Sequence, residues 1–128
     1  MTQEDKELLL KDLCARLPYN PLVEYKGESY NVLGIAHGRL VLCKPFMSYT
    51  LNECPLVEEA KPYLFPLSSM TEEQKKELRT FDSLDAESTM SLGEWAIQLV
   101  DFYNKYHLDY RDLIPKGLAI DATGLNIY

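Results

Sequence analysis

The sequence predicts an α+β fold: an N-terminal helix, a three- to four-stranded antiparallel meander, and C-terminal helices packed on one face of that sheet. The prediction depends on the spacing of apolar residues, which changes twice along the chain. Apolar side chains recur every three or four residues in 3–16 and again in 90–106, as in amphipathic helices. Between 22 and 43 they alternate with polar ones, as in half-buried strands. Helices kept apart from a run of short strands are typical of the α+β class.

Length and composition predict one globular domain, residues 1–128, since domains most often contain roughly 100–150 residues. The chain is 46% hydrophobic and 26% charged, which argues against a disordered or fibrous protein. No apolar run approaches the ~18 residues that span a membrane. The first ten residues lack the basic and then apolar pattern of a secretory signal. We therefore expect a cytoplasmic protein.

The three cysteines are odd in number and show no CxxC spacing, so they predict neither a disulfide framework nor a zinc site. Cys14 on a helix and Cys43 in a strand are expected to be small buried hydrophobes. Cys54, beside Pro55 in a loop, is the thiol most expected to be exposed.

The net charge of −7 is concentrated in residues 51–90, which hold nine acidic and four basic residues. A nucleic-acid partner is disfavoured, because affinity for phosphates comes chiefly from Lys and Arg. An acidic surface can still meet a basic protein. One hypothesis is therefore an acidic phage inhibitor that presents carboxylates between Glu53 and Glu87 to a nucleic-acid-binding host protein.

The first helix is predicted to begin after Thr2, a suitable N-cap, and to end before Pro18. Its apolar positions recur at helical spacing and are predicted to form one buried stripe. The stripe consists of Leu9, Leu10, Leu13, Cys14 and Leu17.

Three short strands are predicted to follow as a meander: Leu22–Tyr25, Ser29–Ala36 and Arg39–Cys43. Residues 26–28 and the pair His37-Gly38 supply the turns, and the second resembles a two-residue hairpin. Gly34 inside the middle strand indicates a bulge or a close approach by another element. Residues 46–51 fit either a fourth strand or a loop.

Prolines 62 and 66 bracket the apolar piece Tyr63–Phe65, which predicts an edge strand or a packed extended segment. A surface helix is then expected at about 72–80, with Thr71 and Gln74 as its capping box. Residues 82–89 are polar and aperiodic, as in a mobile loop. The tail, 118–128, either pairs as a strand or lies loosely.

The third helix begins with a second capping box, Ser91 with Glu94, and a hydrophobic staple of Met90 with Trp95. Gly93 in its first turn lowers helix propensity, which predicts close packing at that point. An aromatic face is predicted to belong to the core. It consists of Trp95, Leu99, Phe102, Tyr103 and Tyr106.

The turn after this helix holds the candidate binding residues, which are predicted to lie on an exposed surface: Tyr106, His107, Asp109, Tyr110, Arg111 and Asp112. A histidine with two carboxylates could bind a divalent metal or act as an acid–base set. Its spacing matches no motif with a known coordination geometry, so no metal and no cofactor are expected. The simpler interpretation is a helix-terminal histidine and a turn in which Arg111 pairs with Asp109 or Asp112.

Three segments carry a family resemblance: 10–19 (LKDLCARLPY), 61–73 (KPYLFPLSSMTEE) and 109–119 (DYRDLIPKGLA). Together they resemble small proteins of gut Bacteroidetes and their phages. The resemblance implies a cytoplasmic accessory protein of a bacterium or phage. It implies no known activity, so it assigns no functional residue.

No GxGxxG, GxxxxGK[ST], HExxH or GxSxG motif is present, so no catalytic residue is assigned. The leading hypothesis is a non-enzymatic protein-binding or regulatory module, expected to act on neither nucleic acid nor membrane. The alternative from another class is a small metal-dependent hydrolase that uses His107, Asp109 and Asp112. The sequence leaves the oligomeric state open.

Overall fold

The computed structural model describes residues 1–45, 53–82 and 91–128 and confirms the α+β class. Its helices are α1 (Gln3–Arg16), α2 (Glu72–Asp82) and α3 (Leu92–Lys105). Its strands are β1 (Leu22–Tyr25), β2 (Glu28–Ala36), β3 (Arg39–Cys43), β4 (Lys61–Pro66), β5 (Leu108–Asp109) and β6 (Ile120–Asp121). The possible strand at 46–51, residues 83–89 and Met90 lie outside the described residues.

The sheet has the order β3-β2-β1-β4-β5, and β6 pairs with β4. Strands β1 to β3 form the predicted antiparallel meander. The sheet as a whole is mixed, because β5 and β6 run parallel to β4. Each of these two strands is only two residues long, which is too short for an alternating pattern to be visible in the sequence.

Both hairpin turns contain two residues, as predicted for His37-Gly38, whereas the first turn is one residue shorter than the predicted 26–28 because Glu28 already belongs to β2. Lys26 and Gly27 have φ of 51° and 78°, and His37 and Gly38 have φ of 54° and 72°. Positive φ at both central residues matches the right-handed twist of the flanking strands. The predicted irregularity at Gly34 is also present, as a register shift of the β2–β3 pair between Val32 and Gly34.

Strand β4 lies inside the sheet, between β1 and β5, so the prediction of an edge strand is wrong. It tolerates Pro62 and Pro66 because each of its pairings covers only two residues. A proline has no backbone N–H to donate, but in so short a pairing the residue beside it can donate instead. Phe65, beside Pro66, donates its N–H to the carbonyl of His107 at 2.8 Å.

Helix α1 starts at the predicted cap, where Thr2 and Asp5 form a reciprocal capping box. Leu9 and Leu13 enter the core as expected, but Cys14 is exposed. The predicted stripe is therefore wrong in part. The helix turns Asp12 and Arg16, both fully buried, toward the protein instead. The core between α1 and the sheet consists mainly of Leu9, Leu13, Val23, Tyr25, Tyr30, Val32, Leu40, Leu42, Val57, Leu64, Leu113 and Leu118.

The tail pairs with the sheet as a strand, which is one of the two conformations that the sequence leaves open. Its strand β6 pairs with β4, and the N–H of Ala122 donates to the carbonyl of Leu64 at 2.8 Å. A second cluster of Leu22, Tyr63 and Ala122 forms beneath it. None of the helices described is long and apolar enough to cross a membrane.

Candidate functional site

The turn from His107 to Gly117 is buried at its start and at Leu113 but exposed at Asp112 and again from Pro115 onward, so the prediction of an exposed turn is wrong in part. Leu108, Leu113 and Leu118 are buried to at least 96% and join the core. Within this segment only β5, Leu108–Asp109, pairs with β4 and so belongs to the sheet. Of the candidate binding residues, His107 and Asp109 are therefore held by packing.

Asp109 uses its carboxylate to cap the turn that follows. One oxygen accepts from the N–H of Leu113 at 2.8 Å, and the other accepts from the N–H of Ile114 at 2.9 Å. Asp112 is exposed, whereas His107 is buried. Within the described ranges no three His, Cys, Asp or Glu side chains are grouped so that they could hold a metal ion. The geometry thus gives no support to a site made of His107, Asp109 and Asp112.

Arg111 pairs with Asp12 on α1, not with Asp109 or Asp112, so the predicted pairing within the turn is wrong. Its Nε lies 3.5 Å from Asp12 Oδ1. Arg16 also donates to this carboxylate, with Nε to Oδ2 at 2.7 Å and an Nη to Oδ1 at 3.0 Å. The same Nη donates to the carbonyl of Leu108 at 2.7 Å. Two arginines and one aspartate thereby join α1 to the turn.

The aromatic members of the turn complete this polar cluster. The ring of Tyr110 lies 5.2 Å from the guanidinium carbon of Arg16 and 5.0 Å from that of Arg111, which places it within range of both cations. Its hydroxyl donates to the side-chain oxygen of the buried Asn104 at 3.0 Å. Tyr106 instead turns to α2, where its hydroxyl donates to Glu77. Both tyrosines are half-buried and act as supports of the fold, which leaves little of either for a partner.

His107 is 8% exposed and stacks on the ring of Tyr128, with the ring centres 3.7 Å apart. Tyr128 is held by its hydroxyl, which accepts from the N–H of Leu22 at 2.8 Å and donates to the carbonyl of Tyr63 at 3.2 Å. Burial, and then the charge of Arg16, lowers the pKa of His107 from 6.5 to about 4. The imidazole is therefore neutral at pH 7 and serves as a packing surface.

This pKa predicts a loss of stability in mild acid. From pH 6.5 down to about 4 the unfolded chain binds a proton at His107 that the folded chain does not, so the free energy of unfolding falls by roughly 3 kcal/mol over this range. Urea unfolding at several pH values measures it. His107→Asn, which keeps a residue suited to the positive φ of 56°, should lose this part of the pH dependence.

The matched control is His37→Asn, at an exposed turn position with φ of 54°. It should leave the acid dependence of stability as in the wild type. Equal pH dependence in the wild type and in His107→Asn would show that His107 titrates normally in the folded protein, contrary to its burial.

The first half of α3 presents an apolar surface that the described part of the chain leaves open. Leu92 is 80% exposed, Ile97 64% and Val100 38%. With Gly93 and Ala96, which are also exposed, they occupy positions i, i+1, i+4, i+5 and i+8 and so share one side of the helix. We call these five residues the α3 strip.

Burial of α3 thus differs from the prediction of a continuous aromatic core face. Phe102 is buried, but Trp95, Leu99, Tyr103 and Tyr106 are only partly buried. The helix contacts α1, α2 and β5, and its two buried residues, Phe102 and Asn104, lie in its C-terminal half. Ser91 caps its start as predicted and accepts from the N–H of Glu94 at 3.2 Å.

Gly93 is not closely packed, in contrast to the expectation. A Cβ atom built on it would meet only the hydroxyl of Ser91, at 3.9 Å. The glycine therefore costs helix propensity without a packing partner inside the described chain. It leaves a shallow notch beside Leu92, near the start of the α3 strip.

Four of the six acidic residues between Glu53 and Glu77 are engaged in ion pairs. Their partners are Lys26 for Glu53 (3.2 Å), Lys6 for Glu58 (3.5 Å), Lys75 for Glu72 (3.5 Å) and Lys105 for Glu77 (3.2 Å). These pairs weaken the hypothesis of a carboxylate surface that mimics nucleic acid. Of the cysteines, Cys43 is buried and Cys54 is exposed, both as expected.

Comparison of the chain with protein-family models, with curated protein sequences and with solved structures found no match.

Proposed function

We propose that this chain is a non-enzymatic binding module whose α3 strip receives an amphipathic helix, bordered by Lys and Arg, of a partner protein. The observation that carries the proposal is the exposure of Leu92, Ile97 and Val100 on one side of a capped helix. Isolated exposed apolar residues are common on protein surfaces, but a contiguous exposed row marks an interaction site. The turn from His107 to Gly117 supports this surface because it fixes the C-terminal end of α3.

A helix suits this surface better than a loop or an extended strand. The strip covers nine residues, or about 12 Å of helix, and has no exposed backbone edge to which a strand could add. Gly93 and Ala96 lie between its larger side chains and allow another helix to approach closely. Packed helices interdigitate their side chains in this way at 8–10 Å between axes, roughly.

The charged residues beside the α3 strip indicate which kind of partner helix fits it. Glu94 and Asp101 are exposed and lie three residues before and four after Ile97, so both border the strip. They favour a partner with Lys or Arg beside its apolar residues. A second copy of this chain is disfavoured, because it would bring the same carboxylates together on a protein whose net charge is −7. Phosphate-rich partners such as nucleic acid are repelled in the same way.

The resemblance of 10–19, 61–73 and 109–119 to proteins of gut Bacteroidetes and their phages supports an accessory role in a bacterial cytoplasm. We take that role to be binding of a protein partner. The geometry of the predicted turn agrees with that role, because Asp109 is used as a cap and His107 as a packing surface.

Display selection of helical peptides against the full chain tests the proposal. The library is first depleted on Ile97→Asp and then enriched on the wild type. We expect amphipathic sequences with Lys or Arg along the border of the apolar face. Enrichment of peptides without that border, or of peptides that bind Ile97→Asp equally well, would contradict it.

Gly93→Ala supplies a second variant whose stability and affinity should change in opposite directions. The added methyl favours the helix by about 0.5–1 kcal/mol. It also fills the notch, so the selected peptide should bind several-fold more weakly. A variant that is more stable and binds as well as the wild type would contradict docking at this strip.

A further inference from the structure

A groove of about 460 Å³ lies on the face of the sheet opposite α1, between the β1–β2 pair and the tail. Its volume is in the range of small-molecule sites, roughly 300–1,000 Å³. Leu22 of β1 and Ile127 of the tail line its apolar part. Its polar part holds Ser29 and three asparagines, so we call it the amide groove.

The three asparagines are Asn20, Asn31 and Asn126. Across residues 1–45, 53–82 and 91–128, none of their side-chain amides makes a hydrogen bond with another residue. Asn20 and Asn126 have φ of 54° and 53°, a conformation that asparagine adopts readily, so their backbone geometry explains the residue type.

Asn31 has no such explanation. It lies in the middle of β2, opposite Leu22 on one side and Cys43 on the other, where asparagine is disfavoured relative to β-branched and aromatic residues. It is only half-buried and faces the groove beside Ser29 two residues before it. Its carboxamide lines the groove and makes no hydrogen bond with another described residue, so it is placed to hydrogen-bond a ligand there.

One wall of the groove is held in place before any ligand binds. Tyr128 lines it and is held by the hydrogen bonds of its hydroxyl to Leu22 and Tyr63 and by stacking on His107. A preformed wall reduces the ordering cost of binding. None of the described side chains that line the groove carries a formal charge, so a charged ligand would lose hydration there without gaining a charged side chain as partner.

We propose that the amide groove binds a neutral carbohydrate of about one or two sugar rings. A carboxamide presents a donor and an acceptor side by side, and neighbouring hydroxyls of a sugar offer the matching pair. The C–H faces of a sugar ring complement the aliphatic part of the groove. This site is independent of the α3 strip.

The test is a ¹H–¹⁵N NMR titration of the full chain with glucose, galactose, mannose, N-acetylglucosamine, maltose and lactose. At least one of them should shift the side-chain amide signals of Asn20, Asn31 and Asn126 in a saturable way. Asn31→Ala should weaken that sugar about tenfold, as expected for the loss of paired hydrogen bonds. Gln98→Ala, which removes an exposed carboxamide from α3, is the matched control and should bind as the wild type does.

Asn126→Gly provides a second variant that keeps the positive φ and removes only the side chain, so it serves where Asn31→Ala fails to fold. It should also bind the sugar more weakly. The proposal is overturned if none of the six sugars produces saturable shifts, or if the folded variants bind unchanged. Tighter binding of glucose 6-phosphate than of glucose, or of nucleosides than of any sugar, would equally overturn it.

Discussion

Asp12→Ala is expected to lower the free energy of unfolding by about 3–5 kcal/mol, because it leaves the fully buried Arg16 without its carboxylate. Arg111 loses the same partner. A buried charge without a counter-ion keeps its desolvation cost and loses the attraction that offsets it. Urea unfolding of the purified variant measures the change.

Glu58→Ala is the control, because it removes a carboxylate from an ion pair with Lys6 in which both side chains are partly exposed. Its cost should stay below about 1 kcal/mol. The double variant Asp12→Leu with Arg16→Met should recover part of the stability, since an apolar pair needs no counter-ion, while Arg111 and the carbonyl of Leu108 still lack their partners. A single Asp12→Ala that costs no more than Glu58→Ala would show that Arg16 does not depend on this pair.

Phe102→Ala is expected to cost about 3–5 kcal/mol, the usual range for an aromatic side chain removed from a core. Phe102 is 4% exposed and makes an edge-to-face contact with Tyr106, the ring centres being 5.1 Å apart. Ile97→Ala, five residues earlier on the same helix, should change stability by less than about 0.5 kcal/mol because Ile97 is 64% exposed.

The contrast between these two variants is the informative quantity. Thermal or urea unfolding should show a large loss of stability for Phe102→Ala and almost none for Ile97→Ala. The helix is then anchored to the core at Phe102 and not at Ile97. Similar costs for the two variants would mean that the α3 strip is buried in the folded monomer, and the proposed docking surface would then be lost.

The meander could be predicted because its signals are local. The alternation of apolar and polar residues along 22–43 predicts the strands to within a few residues. The pairs Lys26-Gly27 and His37-Gly38 form the turns between them. The same holds for the helix starts at Thr2 and Ser91, where a hydroxyl satisfies a nearby N–H. Interactions between residues close together in the chain can be predicted from a single sequence.

The polar cluster could not be predicted, because its contacts join distant parts of the chain. Asp12 and Arg16 have the spacing of an ordinary surface ion pair, and only the fold shows that both are fully buried. Arg16 reaches the carbonyl of Leu108, 92 residues away. The partner of Arg111 was unpredictable for the same reason.

The burial of helix α3 could not be predicted for a different reason: its apolar arc is wide and has two adjacent sides. Trp95, Leu99, Phe102 and Tyr106 follow helical spacing along one side, and Leu92, Ala96 and Val100 follow it along the side next to it. Periodicity identifies apolar sides but does not tell which one meets the core. Only the exposure of Leu92 and Ile97 distinguishes them.

The most direct test of the proposed function compares two substitutions that introduce the same charge at equally exposed apolar positions. Ile97 of the α3 strip is 64% exposed, and Leu33 on β2 is 56% exposed. Fluorescence anisotropy of the selected basic helical peptide measures its Kd for Ile97→Asp, Leu33→Asp and the wild type. We predict that Ile97→Asp weakens binding at least about 30-fold, as at an interface hot spot, and that Leu33→Asp changes it less than about threefold. Equal effects of the two substitutions would contradict docking on α3.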